Sequence, residues 1–244
     1  GYDPGAANGG VDEATGYAEM MQQFFPDGHP ATTTTTYHEM LAQYPTVVRL
    51  TNIQCENCHG PQNSQAHTQG EAFRSSLSSD MCAYCHGEPP RHGRFQQWQL
   101  SAHANYTLAG EEGMSGSCAK CHTGNGFLAW LPILTGEEPG DPNANLPVTW
   151  TEDQIHPQTC QTCHDPHDVG LVSGDGNDSQ TRIYGDTPML MAGFAATDVG
   201  NGAICMTCHN TRRGLKNDAT WDPSDASRAP HLGAQTDVLM GENA

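Results

Sequence analysis

Ten cysteines and five of the thirteen histidines in this chain of 244 residues share one spacing. Two residues separate the cysteines of each pair, and a histidine follows the second cysteine directly. The five copies of this Cys-x-x-Cys-His motif lie at 55–59, 82–86, 118–122, 160–164 and 205–209. Two thiols at this spacing can form thioethers with the vinyl groups of a porphyrin, and the adjacent imidazole can bind its iron. The motifs therefore predict five covalently bound c-type haems.

Each position of the motif has its own predicted role. The thioether links are Cys55, Cys58, Cys82, Cys85, Cys118, Cys121, Cys160, Cys163, Cys205 and Cys208. The proximal iron ligands are His59, His86, His122, His164 and His209. A redox disulfide, half a zinc site or a disulfide framework would also use paired cysteines. None of them requires a histidine after every second cysteine, so the spacing favours haem.

Eight further histidines remain for the sixth coordination position of the irons. This surplus predicts bis-histidine coordination at every haem, without recourse to the nine methionines. Five distal ligands are expected among His67, His92, His103, His156, His167 and His231. His29 and His38 precede every motif, and we treat them as additional candidates that could ligate a haem of a neighbouring subunit.

The elements that must position these residues are predicted to be short. Glycine and proline are frequent, at 27 and 16 residues, and only 36% of the chain is hydrophobic. We expect mostly irregular coil with short α-helices and little β structure, organised around a chain of five covalently bound haems that supply the missing apolar core. Residues 1–54 form a haem-free N-terminal lead available for contact with another subunit, and residues 55–244 form a pentahaem cytochrome domain.

Three segments near the candidate ligands have a helical pattern. A helix is predicted over 14–25, with Pro26 as its end. The segment 94–105 is amphipathic, and a helix there would hold His103 rigidly. Pro157 is expected to open a short helix that carries the fourth motif. His167 follows the proximal His164 so closely that it would have to ligate a neighbouring haem.

Charge and hydropathy exclude several classes of partner. The chain carries 28 acidic and 10 basic residues, a net charge of -18, which argues against nucleic acid and against anionic membrane surfaces. Its longest apolar stretch, 126–134, contains Pro132 and is far shorter than the roughly 20 residues of a membrane span. The acidic loop 174–178 is a secondary candidate for calcium, although it does not match the EF-hand register.

The motifs and their flanking phrases resemble the multihaem c-type cytochromes that carry electrons out of metal-reducing microbes. The resemblance spans roughly residues 50–235 and includes the phrases at 58–61, 98–104, 163–167 and 230–233. It implies electron transfer through closely packed haems. Some members of this group polymerise into extracellular nanowire filaments, in which a histidine of one subunit ligates a haem of the next. His29 or His38 would suit that role in this chain.

Three functions follow as hypotheses. The first is a subunit of an extracellular filament, with copies of itself as head-to-tail partners and external acceptors at the end of the path. The second is a monomeric periplasmic or cell-surface carrier that exchanges electrons with partner cytochromes. The third is a multihaem reductase with one open haem, which the abundance of histidine disfavours, and no catalytic residue is assigned. Attachment of such haems outside the cytoplasm and a start at Gly1 predict an exported protein.

Overall fold

A computed structural model describes residues 14–26, 37–50, 55–59, 76–88, 93–168, 176–211, 220 and 234–243. The chain divides into two compact units, 1–75 and 76–244, which we describe separately. In the described ranges every regular element is a helix, and the single β pairing is an antiparallel bridge between His164 and Thr181. The predicted architecture of short helices and coil is confirmed in this form, whereas the number of haems stays a prediction.

The first unit has a small core of its own. Its helices are α1 (Tyr17–Phe24), α2 (Tyr37–Gln43), α3 (Pro45–Val48) and α4 (Cys55–His59). One face of α1 buries Met20 and Phe24, which lie four residues apart, against Val47 and Val48 of α3. The edge of the Phe24 ring meets the ring of Tyr44, with centroids 6.2 Å apart. These contacts explain why the predicted helix over 14–25 forms.

The start of α1 depends on a glycine. Gly16 precedes the helix at a φ of 92°, which L side chains rarely adopt. A Cβ atom at Gly16 would also lie 3.2 Å from the ring of Tyr44. The first haem motif falls within this unit, and the predicted division of the chain at residue 54 stays a prediction.

The second unit contains the other four motifs. Its α-helices are α5 (Asp80–His86), α6 (Arg94–Gln99), α7 (Tyr106–Gly113), α8 (Ala119–His122), α9 (Gly124–Thr135), α10 (Cys160–Cys163), α11 (Gly202–Cys208) and α12 (Gln235–Met240). Single turns of 3-10 helix lie at Ala102–Ala104 and Glu152–Gln154. None of the helices in the described ranges is long and apolar enough to cross a membrane.

The core of the second unit is built on α9. Phe127, Trp130 and Leu134 fall on one face of this helix and pack with Leu146, Ile183, Ala203 and Ile204. The Thr123 hydroxyl caps its start by accepting from the Gly126 amide at 2.9 Å. The helix continues through Pro132, although an interior proline removes one backbone hydrogen bond. Burial of its apolar face offsets that loss, so the proline does not interrupt the apolar stretch structurally.

A buried lysine fastens the loop after α9. Only 1% of Lys120 is exposed, and its Nζ donates to the Pro142 carbonyl at 2.8 Å. The indole Nε1 of Trp130 donates to the same carbonyl at 2.9 Å, and the Lys120 ammonium lies 5.5 Å from that ring. Burial lowers the pKa of Lys120, whereas Cys121 and Asp141 partly restore it. Lys120 therefore connects α8 and α9 to the loop that contains Pro142.

Two predicted helices differ from those observed. The predicted helix over 94–105 is wrong as a continuous element, because α6 ends at Gln99 and Ser101 is extended. Asn105 instead caps α7 by accepting from the Leu108 amide at 3.0 Å. The side chains of serine and asparagine hydrogen-bond to nearby backbone groups, which disfavours a helix interior and favours the first residue before a new helix. Pro157 also does not open a helix, since α10 begins at Cys160.

Candidate haem-binding site

Each motif of the second unit lies on a helical turn. The two cysteines of a motif are three residues apart, so a turn places them next to each other on one side of the helix. The motif histidine is the last residue of α8 and directly follows the last residue of α10 and of α11. Local backbone geometry thus presents two thiols and an imidazole together, as covalent attachment of a haem requires.

The motif cysteines lie outside the fully buried core as residues, although burial acts on some of their thiols. No disulfide joins any of the nine cysteines whose side chains the structure describes, and every one of the nine is exposed or half-buried. A structural cysteine without a disulfide is ordinarily among the most buried residue types. Partly exposed cysteines in adjacent pairs fit thioether formation better than they fit packing, and the nine described cysteines do not form a disulfide framework.

Contacts between thiols bring the four motifs together. The pKa of Cys160 is lowered to about 6, first by a hydrogen bond with Cys82 and then by Ser79 and His164, against the opposing effect of burial. A hydrogen bond with Cys121, followed by burial, raises the pKa of Cys208. Burial raises the pKa of Cys163 to about 11, with a further rise from Cys205. These interactions link the second motif to the fourth, the fourth to the fifth and the fifth to the third, so neighbours in space are not always neighbours along the chain.

A cavity of about 280 Å³ opens between the third, fourth and fifth motifs. Its apolar lining includes Leu108, Phe127 and Ile204. Cysteines and histidines supply most of the remaining lining, namely His103, Cys118, Cys121, His122, Cys163, Cys205, Cys208 and His209. An apolar cleft with thiols and imidazoles on its walls fits a flat, apolar porphyrin and its iron.

Two motif histidines are oriented by a neighbouring oxygen. His164 Nδ1 lies 2.6 Å from the Ser179 carbonyl oxygen, and His209 Nδ1 lies 3.2 Å from Gln235 Oε1. When Nδ1 carries the proton and donates it to such an acceptor, Nε2 is left with a lone pair for a metal. The donor set therefore fits iron. The sequence analysis missed Ser179 and Gln235, because no spacing relates them to a motif.

The last described helix holds the fifth motif in place. The backbone amide and the hydroxyl of Thr236 both donate to the His209 carbonyl, at 2.9 and 2.7 Å. Asp237 is only 3% exposed, and its carboxylate accepts from the Thr211 amide at 2.7 Å and the Thr211 hydroxyl at 2.9 Å. Asn243 donates to the same carboxylate at 2.9 Å. These bonds fix the backbone beside His209.

Replacing Asp237 with alanine is expected to loosen this attachment. The change would leave the two buried Thr211 donors without their acceptor, at about 1–3 kcal/mol. Hydrogen exchange of the α12 amides should accelerate roughly 10- to 100-fold, which mass spectrometry of peptic peptides would measure. Asp178→Ala is the matched control, because Asp178 is exposed. Equal exchange rates in the two variants would contradict the assignment.

The distal candidates are placed differently from one another. The rings of His103 and His209 lie 6.0 Å apart between centroids, at an interplanar angle of 71°. Burial and then His209 lower the pKa of His103, which favours the neutral, ligating form of the imidazole, although His103 as a whole residue is exposed. His156 packs edge-on to Tyr106 at 6.1 Å, and its buried Nδ1 has no hydrogen-bond partner. Burial lowers the pKa of His156 as well.

The remaining candidates lie elsewhere. His167 is exposed just after the fourth motif, and its backbone amide donates to Asp165 Oδ1 at 3.0 Å. His38 is exposed on α2 of the first unit. Outside the described residues lie His29, His67, His92 and His231. All of these assignments stay predictions.

The calcium candidate lies partly outside the described residues, since the structure describes only 176–178 of the loop. Within the ranges that are described, no three side chains of histidine, cysteine, aspartate or glutamate converge as a site for a metal ion. The calcium site remains a prediction.

Comparison with known proteins gives one relevant similarity. The multiheme cytochrome MtrA of Shewanella baltica (strain OS185) is 26% identical to this chain over 190 residues. The alignment covers 68% of this chain and 45% of MtrA, so the chain spans less than half the length of that relative. This similarity supports a multihaem cytochrome. No family model matches the chain, and no solved structure matches it. The number of haems, the filament and the location stay predictions.

Proposed function

We propose that this chain is a multihaem c-type cytochrome that transfers electrons. The observation that carries the proposal is the apolar cavity between the third, fourth and fifth motifs, lined by their thiols and imidazoles, with the second motif joined to the fourth through Cys82 and Cys160. Bound haem supplies the one-electron chemistry of its iron. The similarity to MtrA supports the same assignment.

The residues of the chain would provide attachment, ligation and spacing. The motif cysteines would form the thioethers, and the motif histidines would bind iron through Nε2. The neighbouring motifs support an electron path with steps between the second and fourth, the fourth and fifth, and the fifth and third motifs. Hydrogen bonds join Cys82 to Cys160 and Cys121 to Cys208, and Cys205 acts on Cys163 through its charge.

One ion pair stabilises the middle of this path. Arg182 Nε donates to the Gln161 carbonyl at 2.7 Å, and its Nη1 lies 3.2 Å from Asp165 Oδ2. The Arg182 backbone amide also donates to the Cys163 carbonyl at 2.9 Å. These three bonds hold both ends of α10 and thus the fourth motif. A fixed attachment turn keeps the distance to its neighbours constant, which electron transfer needs.

Haem stoichiometry is the direct test of the proposal. Purified holoprotein should carry five covalent haems per chain by intact mass and pyridine haemochromogen absorbance, all low-spin and reversibly reducible. Cys205→Ala combined with Cys208→Ala should leave four, whereas Met206→Leu, which keeps both thiols of the motif, should leave five. A chain without covalent haem would refute the proposal. Carbon monoxide binding to the reduced wild-type protein would instead favour the reductase hypothesis, because it requires an open iron.

We further propose that the exported protein assembles head to tail into an extracellular filament, with His29 or His38 ligating a haem of the next subunit. The haem-free lead and the surplus of histidines support this assembly. Negative-stain electron microscopy of the native material should show long threads with a regular axial repeat. Discrete small particles would reject the filament and leave a monomeric carrier.

A further inference from the structure

We propose that His103 and His209 are the two axial ligands of one iron, that of the haem attached at Cys205 and Cys208. This pairing rests on the proposed function, since it requires a haem at the fifth motif. It assigns a specific iron to His103, which the spacing of the motifs leaves open. It also joins two parts of the chain that are more than a hundred residues apart.

The separation of the two rings matches what a shared iron demands. Two imidazoles that bind one metal from opposite sides, each through a bond of about 2 Å, place their ring centroids roughly 6 Å apart. The centroids of His103 and His209 are 6.0 Å apart. At an interplanar angle of 71° the two rings are edge-on rather than stacked, an orientation that two imidazole ligands of one iron also adopt.

Both imidazoles face the space beside the fifth motif. His103 and His209 line the same cavity as Cys205 and Cys208. Gln235 Oε1 lies beside His209 Nδ1, and when Nδ1 donates to it, His209 Nε2 keeps its lone pair for a metal. The thiols, the proximal imidazole and the candidate distal imidazole are therefore gathered around one space.

The backbone that carries His103 is held on both sides. His103 lies in the 3-10 turn Ala102–Ala104, and Asn105 caps the helix that follows. Before the turn, Trp98 Nε1 donates to the Gln158 carbonyl at 2.7 Å, and the Gln158 side-chain amide donates to the Cys121 carbonyl. The turn is thus tied to the third motif, so His103 is positioned before any ligand arrives.

The test uses the holoprotein and the spin state of its irons. His103→Ala should convert one haem to high-spin, and the reduced variant should bind one more carbon monoxide per chain than wild type. His103→Met should return that haem to low-spin with a more positive potential, because methionine is an alternative axial ligand that raises it. A purely structural role of His103 would not produce this change in potential. Gln99→Ala, a nearby exposed truncation, should match wild type.

To test the assignment to the fifth motif, the His103 substitution must also be made in a variant that lacks the fifth haem. In the Cys205→Ala/Cys208→Ala variant, which should lack the fifth haem, adding His103→Ala should create no further high-spin iron. A new high-spin iron in that background would show that His103 ligates another haem and would overturn the pairing. An unchanged low-spin spectrum of His103→Ala in the full chain would overturn it as well. Absence of covalent haem from wild type would instead refute the proposed function, so the two failures are distinguishable.

Discussion

A chain produced without attached haem is expected to lose the stable fold of its second unit. The described core of that unit is small, centred on Phe127, Trp130 and Leu134 of α9, and most other helices have only one or two turns. Helices this short are unstable without packing partners. The cavity between three motifs would remain unfilled, and the free energy of unfolding, about 5–15 kcal/mol for a typical domain, should approach zero.

The measurement compares haem-free and haem-loaded protein by far-ultraviolet circular dichroism and limited proteolysis. The loaded chain should unfold cooperatively and resist cleavage, whereas the haem-free chain should be cleaved throughout 76–244. A thiol reductant serves as the control, because no disulfide joins the nine described cysteines and the loaded chain should keep its melting temperature. A haem-free chain that melts as sharply as the loaded one would contradict this prediction.

Replacing Trp130 with alanine is expected to be the most damaging single substitution in the core of the second unit. Trp130 is 1% exposed, packs edge-on to Phe127 at 6.3 Å and donates to the Pro142 carbonyl. Truncation of a buried aromatic residue costs about 3–5 kcal/mol. It would also remove the ring beside the buried ammonium of Lys120. Guanidinium unfolding of the haem-loaded variant should show a correspondingly lower midpoint.

Two comparisons separate the contributions of Trp130. Trp130→Phe keeps an aromatic ring and loses the indole donor, so it should cost less than Trp130→Ala. Leu100→Ala is the control for an apolar truncation, because Leu100 is 90% exposed and such changes stay within about 0.5 kcal/mol. A Trp130→Ala midpoint equal to that of Leu100→Ala would show that α9 is not the centre of the core.

The haem chemistry was predictable because covalent attachment is local. Two thiols and an imidazole within five residues, as in 205–209, form one helical turn whatever surrounds them. Composition predicted short helices and coil for a similar reason, since frequent glycine and proline limit the length of any element. The predicted helix over 14–25 also depended on a local pattern, an apolar face that ends at a proline. These inferences needed no knowledge of which segments pack together.

Helix boundaries were less predictable where neighbouring residues compete. The amphipathic pattern over 94–105 is real, but Asn105 starts a new helix, and Ser101 interrupts the old one. As a result His103 lies in a tight turn rather than on a helix. The burial of Lys120 was also not foreseeable, because its acceptor at Pro142 belongs to a loop that reaches it only in the folded chain.

Which motifs and which imidazoles become neighbours was decided by tertiary structure. Cys82 neighbours Cys160, and His103 faces His209, although many residues separate each pair along the chain. Such neighbours depend on how α5, α10 and α11 pack around the core, and no local spacing encodes that packing. The amino-acid sequence thus specifies what can be attached and at which residues, whereas the packing of the helices specifies which attachment sites adjoin and which imidazoles meet.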